Sequence, residues 1–174
     1  MDTNGKIISP GTIRFERMLP GPIEKVWAYL TESEKRGKWL AKGEMELIEG
    51  GKVDLYFLHR ELSPVAEVVP EKYKDMENGH HSTGKILKVK PPFLLSFTWG
   101  DSLSVVLFEL EEKGDKVLLR LTHSNLGENK EARISTAAGW HTHLEILTAN
   151  LEGSQVEGFW KSHATLENIY SGLV

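Results

Sequence analysis

Apolar and polar positions change their period twice along this chain. Ile13, Phe15 and Arg17 alternate with Arg14 and Glu16, the period of a half-buried strand. Leu19-Pro20-Gly21-Pro22 breaks that strand, and Pro22 suits the first turn of a helix, where a missing amide proton costs nothing. Ile23, Val26, Trp27 and Leu30 then follow at helical spacing. Thr31 is placed to cap a second short helix, Glu32 to Leu40, with Glu34 three residues on as in a capping box.

From Glu44 the period becomes two. Met45 and Leu47 alternate with acidic residues, Gly50-Gly51 is a hairpin signal, and Val53, Leu55 and Phe57 make the return strand. A polar loop from Arg60 to Ser82 is longer than the usual connection, and its Pro70 to Met76 portion reads as a helical turn. Strands are predicted again over Thr83–Val89, Leu94–Trp99, Leu103–Leu110 and Lys116–His123. Their links are short, which favours antiparallel neighbours over parallel returns. The period then returns to helical: Ala137, Trp140, Leu144, Leu147 and Leu151 form an apolar stripe on a helix from Ala132 to Leu151.

Strand, two helices, six further antiparallel strands and a long helix make an α+β chain. A stripe of that length has to be buried against the sheet. The expected architecture is a helix grip: a curved antiparallel sheet of about seven strands wrapped around the long C-terminal helix, with two short helices after the first strand. One domain, residues 1–174, accounts for the whole pattern.

Composition narrows the choice of partner. Apolar residues make up 40% and charged residues 26%, ordinary for a globular chain. A formal net charge of −4 with no strong basic run argues against nucleic acid. There is no cysteine, so disulfides, thiolate metal sites and a cysteine nucleophile are excluded. No signal peptide or membrane span is expected, and a cytoplasmic location is the default reading.

The order of elements, with a set of short segments, resembles the activator of heat-shock-protein-90 ATPase homologue family, within the START-like (SRPBCC, Bet v 1-like) superfamily. The segments are Pro22-Ile-Glu-Lys-Val26-Trp27 through Leu30-Thr31-Glu32 and Trp39, then Gly84-Lys-Ile-Leu87 and Pro91-Pro92-Phe-Leu-Leu95-Ser-Phe97-Thr98-Trp99. Leu121-Thr122-His123 and Gly139-Trp140, with Leu144 and Leu147, complete the match, which spans about Gly11 to Tyr170. The resemblance implies the helix-grip fold and a superfamily of hydrophobic-ligand carriers, polyketide cyclases, oxygenase subunits and co-chaperone domains. Fold alone does not choose among them.

Three sets of residues are candidates for function. The first is the apolar lining between sheet and helix: Phe57, Leu95, Phe97, Trp99, Phe108, Leu119 and Leu121 from strands, and Trp140, Leu144 and Leu147 from the helix. The competing reading is a filled core. A dry pocket of about 300 Å³ at about 24 cal/mol per Å³ would cost roughly 7 kcal/mol, comparable with the stability of a whole domain. Water, ligand or collapse must therefore reduce it.

The second set is His59, His123 and His141, which could meet near one mouth of the groove and orient a ligand. Structural or solvent-facing roles are the simpler reading, and nothing here has metal-ligand spacing. His80, His81 and His163 are expected in solvent. The third set is nucleophiles and carboxylates. Ser96, Ser102, Ser104 and Ser124 lack a nucleophile-elbow sequence, and the glutamates read as solvated faces.

No catalytic residue, metal site or cofactor is therefore assigned from sequence. The leading expectation is non-catalytic binding of a small hydrophobic molecule (lipid-, flavonoid- or polyketide-like) between sheet and helix. A chaperone-linked or other protein-interaction module, with a role in stress response, is the alternative, and a cyclase- or hydrolase-like enzyme comes third. A homodimer and a chaperone partner are both left open.

Overall fold

Residues 1–173 are described by a computed structural model. Alternation in the first strand gives β2 (Thr12–Pro20), in which Ile13, Phe15, Arg17 and Leu19 all point inward. Pro22 in extended conformation leads into α1 (Ile23–Thr31), which buries Ile23, Val26 and Leu30. With β1 (Lys6–Ser9), β3 (Lys52–Phe57), β4 (His80–Lys90), β5 (Leu94–Thr98), β6 (Val105–Lys113) and β7 (Lys116–Ser124), β2 forms one seven-stranded antiparallel sheet. Its order is β1-β2-β7-β6-β5-β4-β3.

Register shows where the core sits. Phe15 lies opposite Leu121, Leu121 opposite Phe108, and Phe108 opposite Leu95. This row crosses four strands on one face, and every member is at most 2% exposed. Cross-strand pairs of this kind are the unit of sheet stabilisation. The long helix α3 (Lys130–Glu152) covers that face with Ala137, Trp140, Leu144, Leu147 and Leu151. Asn129 caps its start by accepting from Ala132 N–H at 3.0 Å, and Gly153 ends it in the left-handed region at φ 73°.

Three elements differ from the sequence reading. The strand expected around Met45 and Leu47 makes only isolated bridges, Met45 to Val53 and Lys42 to Tyr56. Gly43 there has φ +128°, and Ile48 N–H folds back onto Glu46 O, so the segment cannot lie flat along β3. The seventh strand is β1 instead. Its side chains are all exposed, so no alternation marks it.

The second helix is shorter than expected. Thr31 is the last residue of α1 and donates its hydroxyl back to Trp27 O at 2.9 Å, so Glu32 takes the boundary and α2 covers only Ser33–Arg36. Buried Arg36 then donates to Leu30 O, Thr31 O, Ala41 O and Gly43 O, satisfying carbonyls that the short helices leave free.

The third difference bears on function. A final helix, α4 (Phe159–Tyr170), packs on the second face of α3 and buries Phe159, Trp160, His163, Leu166 and Tyr170. The long loop holds its start. Ser63 Oγ accepts Phe159 N–H at 2.7 Å, while the Glu67 carboxylate accepts Trp160 N–H at 3.0 Å and Lys161 N–H at 2.9 Å. A carboxylate at a helix N-terminus satisfies free amides and complements the helix dipole.

Candidate ligand cleft

The end of β3, the segment after β5, and the facing sides of α3 and α4 enclose a cleft of about 170 Å³. β3 brings Phe57, and the 3-10 turn that follows, His59–Glu61, turns His59 inward. Trp99 follows β5. Helix α3 contributes Ser135, Thr136, Gly139, Trp140 and His143, residues spaced along one helical face, and α4 contributes Phe159, Trp160 and His163. Tyr73 and Met76, from the second 3-10 segment Glu71–Met76, close the rim with Leu40, His80 and Ser82. None of the lining residues is Asp, Glu, Lys or Arg.

Gly139 leaves this space open. A Cβ added there would meet no heavy atom within 4 Å, although the residue sits in the middle of a packed helix. Around the space, aromatic rings touch in series. Trp99 and Trp140 have centroids 5.0 Å apart, His59 and Phe159 4.6 Å, His59 and Trp160 5.1 Å, and Tyr73 stacks on Trp160 at 5.0 Å. His59 and His143 face each other at 5.8 Å.

Burial keeps these histidines neutral at pH 7. It pushes His59 down to about 4 and His143 to about 3, with the neighbouring histidines adding to the effect in both cases. His143 Nδ1 lies 2.7 Å from Trp39 O, which can only accept, so Nδ1 carries the proton and Nε2 has a lone pair. His163 is also lowered by burial, against the pull of Glu167, whose carboxylate is 3.0 Å from its Nδ1. Glu167 also accepts from Lys72 at 2.8 Å and from Tyr73 at 3.1 Å, tying the long loop to α4.

Of the residues singled out from sequence, Phe57, His59, Trp99 and Trp140 line the cleft. Leu95, Phe97, Phe108, Leu119, Leu121, Leu144 and Leu147 lie in the closed core between sheet and α3, each at most 2% exposed. His123 stands behind the wall. Its Nδ1 accepts from Trp140 Nε1–H at 2.9 Å and fixes that indole, while burial lowers its pKa to about 4.

His141 points to the other side of α3. Tyr170 Oη accepts from Gly5 N–H at 2.7 Å and is hydrogen-bonded to His141 Nδ1 at 2.7 Å, so the three histidines do not meet. His163, expected in solvent, is buried because α4 forms and packs. His143, Phe159 and Trp160 were not singled out. For His143 the signal was available: it follows Gly139 and Trp140 at i+4 and i+3.

Among the described residues no group of three or more His, Cys, Asp or Glu is arranged to hold a metal ion. No described helix is long and apolar enough to cross a membrane.

The family model for Activator of Hsp90 ATPase homolog 1-like protein matches residues 20–152. The chain belongs to this family. A solved relative of the chain is a Bordetella parapertussis protein, 39% identical with a TM-score of 0.83, covering 99% of this chain and 91% of that one. CalU16 from Micromonospora echinospora shares the fold at 20% identity and TM-score 0.67, covering 98% and 94%. So does the Aha1 dimer from Colwellia psychrerythraea, at 19% identity and TM-score 0.62, covering 81% and 96%. No curated protein matches the chain. The family match ends at residue 152, the last residue of α3, so the Phe159, Trp160 and His163 side of the cleft lies outside it.

Proposed function

We propose that this member of the family binds a small, mainly apolar molecule in the cleft between β3, α3 and α4, without covalent chemistry. The observation that carries this is an aromatic-walled cleft with no charged lining residue, held open by a glycine in the middle of α3. Phe57, His59, Trp99 and Trp140 would contact the ligand together with His143, Phe159 and Trp160. Apolar sites with a few placed polar groups are the usual form of small-molecule pockets. At about 170 Å³ the cleft suits a ligand nearer one ring than a long lipid chain.

Native mass spectrometry of freshly purified protein, followed by a thermal-shift screen of small aromatic compounds, tests the reading. A co-purified molecule or a raised melting temperature is expected; the absence of both would sink it. Gly139→Leu fills the cleft without a clash at Cβ and should abolish whatever binding is found. The same change should leave the fold intact, since leucine is the better helix former by up to about 1 kcal/mol. Unchanged affinity in that variant would place the ligand elsewhere.

A homodimer is a second reading. The Colwellia relative is described as a dimer, and β1, at one edge of the sheet, exposes Ile7 and Ile8. Light scattering on the eluting protein distinguishes one chain from two.

A further inference from the structure

The polar atoms of the cleft point to a narrower ligand class, given that the cleft binds a small molecule. His143 presents an acceptor, because its Nδ1–H is spent on Trp39 O and its ring is neutral. His59 is the converse. Its Nδ1 is sealed from solvent and has no hydrogen-bond partner among the described residues. A buried N–H without a partner is the rarer case, although His123 has one at Nε2, since its Nδ1 accepts from Trp140. We therefore assign the His59 proton to Nε2, the nitrogen that is not sealed, which makes this ring a donor toward the cleft.

One donor and one acceptor thus stand on rings whose centroids are 5.8 Å apart, among Phe57, Phe159 and Trp160. We infer that the cleft selects an uncharged single-ring phenol, whose hydroxyl donates to His143 Nε2 and accepts from His59 Nε2–H while its ring lies among the aromatic walls. A hydroxyl is the smallest group that does both at one atom. The ring follows from size and surface: a cavity near 150 Å³ holds a benzene, and aromatic walls favour an aromatic guest in tilted or stacked contact. Charge is disfavoured. No lining residue carries a counter-ion, and a carboxylate would face the His143 lone pair.

The test is an NMR titration of the full chain at pH 7.5 with toluene, p-cresol, 4-methylbenzoate and 4-methylbenzylammonium, four ligands of one shape. We expect p-cresol to bind about tenfold tighter than toluene, the range for one or two net hydrogen bonds, and tighter than either ion. His59→Phe keeps a flat ring and breaks no protein hydrogen bond, so it should bring p-cresol to the affinity of toluene. Should that variant not fold, imidazole nitrogen spectra of the unaltered protein decide. His143 should be protonated at Nδ1, and p-cresol should shift Nε2 in the sense of a newly accepted hydrogen bond. Equal binding of toluene and p-cresol overturns the phenol assignment and leaves the apolar-ligand reading standing. Tighter binding of either ion also overturns it, and no binding by any of the four overturns both.

Discussion

Three histidines, His59, His123 and His143, are buried and neutral, and each accounts for a share of the protein's pH dependence. Their folded pKa values lie at about 4, about 4 and about 3, below the ordinary 6.5. In the unfolded chain they would take up protons as pH falls below 6.5, while the folded protein does not until pH nears 4. Their contribution is therefore present above pH 6.5 and is lost as pH drops through the window from 6.5 toward 4. Linkage gives about 2 kcal/mol per histidine by pH 5, which for three of them is comparable with the stability of a domain. Urea midpoints at pH 7.5, 6.0 and 5.0 should fall steeply, before most carboxylates titrate. A flat profile over that range would mean these rings are reached by water. His123→Gln should flatten part of the slope and disturb Trp140 fluorescence, since His123 holds that indole in place.

At the scale of elements, α4 and the long loop hold each other. Gly158 precedes α4, and a Cβ there would come within 2.0 Å of Glu67 Oε2. Its φ of −68° is open to any residue, so the requirement is space for the carboxylate rather than backbone freedom. Gly158→Ala should displace Glu67 from the Trp160 and Lys161 amides and cost about 1–2 kcal/mol, the scale of a lost cap. Hydrogen exchange should then speed up in α4 while β6 and β7 keep their protection; uniform loosening would show that the loop and α4 are not a separate unit.

These elements also mark the limit of sequence reading. Strands with one buried face announced themselves, as Ile13, Phe15 and Arg17 did. The stripe Ala137, Trp140, Leu144, Leu147 and Leu151 placed α3 correctly. β1 carried no signal because both its faces are exposed. α4 has no local start signal, since its cap comes from Ser63 and Glu67, about ninety residues earlier, but its stripe of Phe159, His163, Leu166 and Tyr170 stood at helical spacing and was legible. With α4 went the Phe159, Trp160 and His163 wall of the cleft.

For the whole molecule, the structure separates two regions that composition alone merges. The row Phe15, Leu121, Phe108 and Leu95 and the leucines of α3 form a closed core, while the cleft sits at the far end beyond Trp140. Leu144→Ala should therefore cost about 2–5 kcal/mol, as buried leucine truncations do, without altering ligand affinity in the folded protein. Gly139→Leu should do the opposite, and denaturant melts paired with titrations would show both. A variant at Leu144 that abolished binding while folded would mean that core and cleft are one space.

The late position of α4 has a consequence during folding. Sheet and grip helix are complete by residue 152, but the aromatic faces of Phe57, Trp99 and Trp140 gain their last cover only with residues 159–170. Until α4 docks, that wall of the cleft is formed and uncovered. On the reading proposed above, ligand and final helix meet at the same face, and a molecule already seated there would be enclosed when the helix docks.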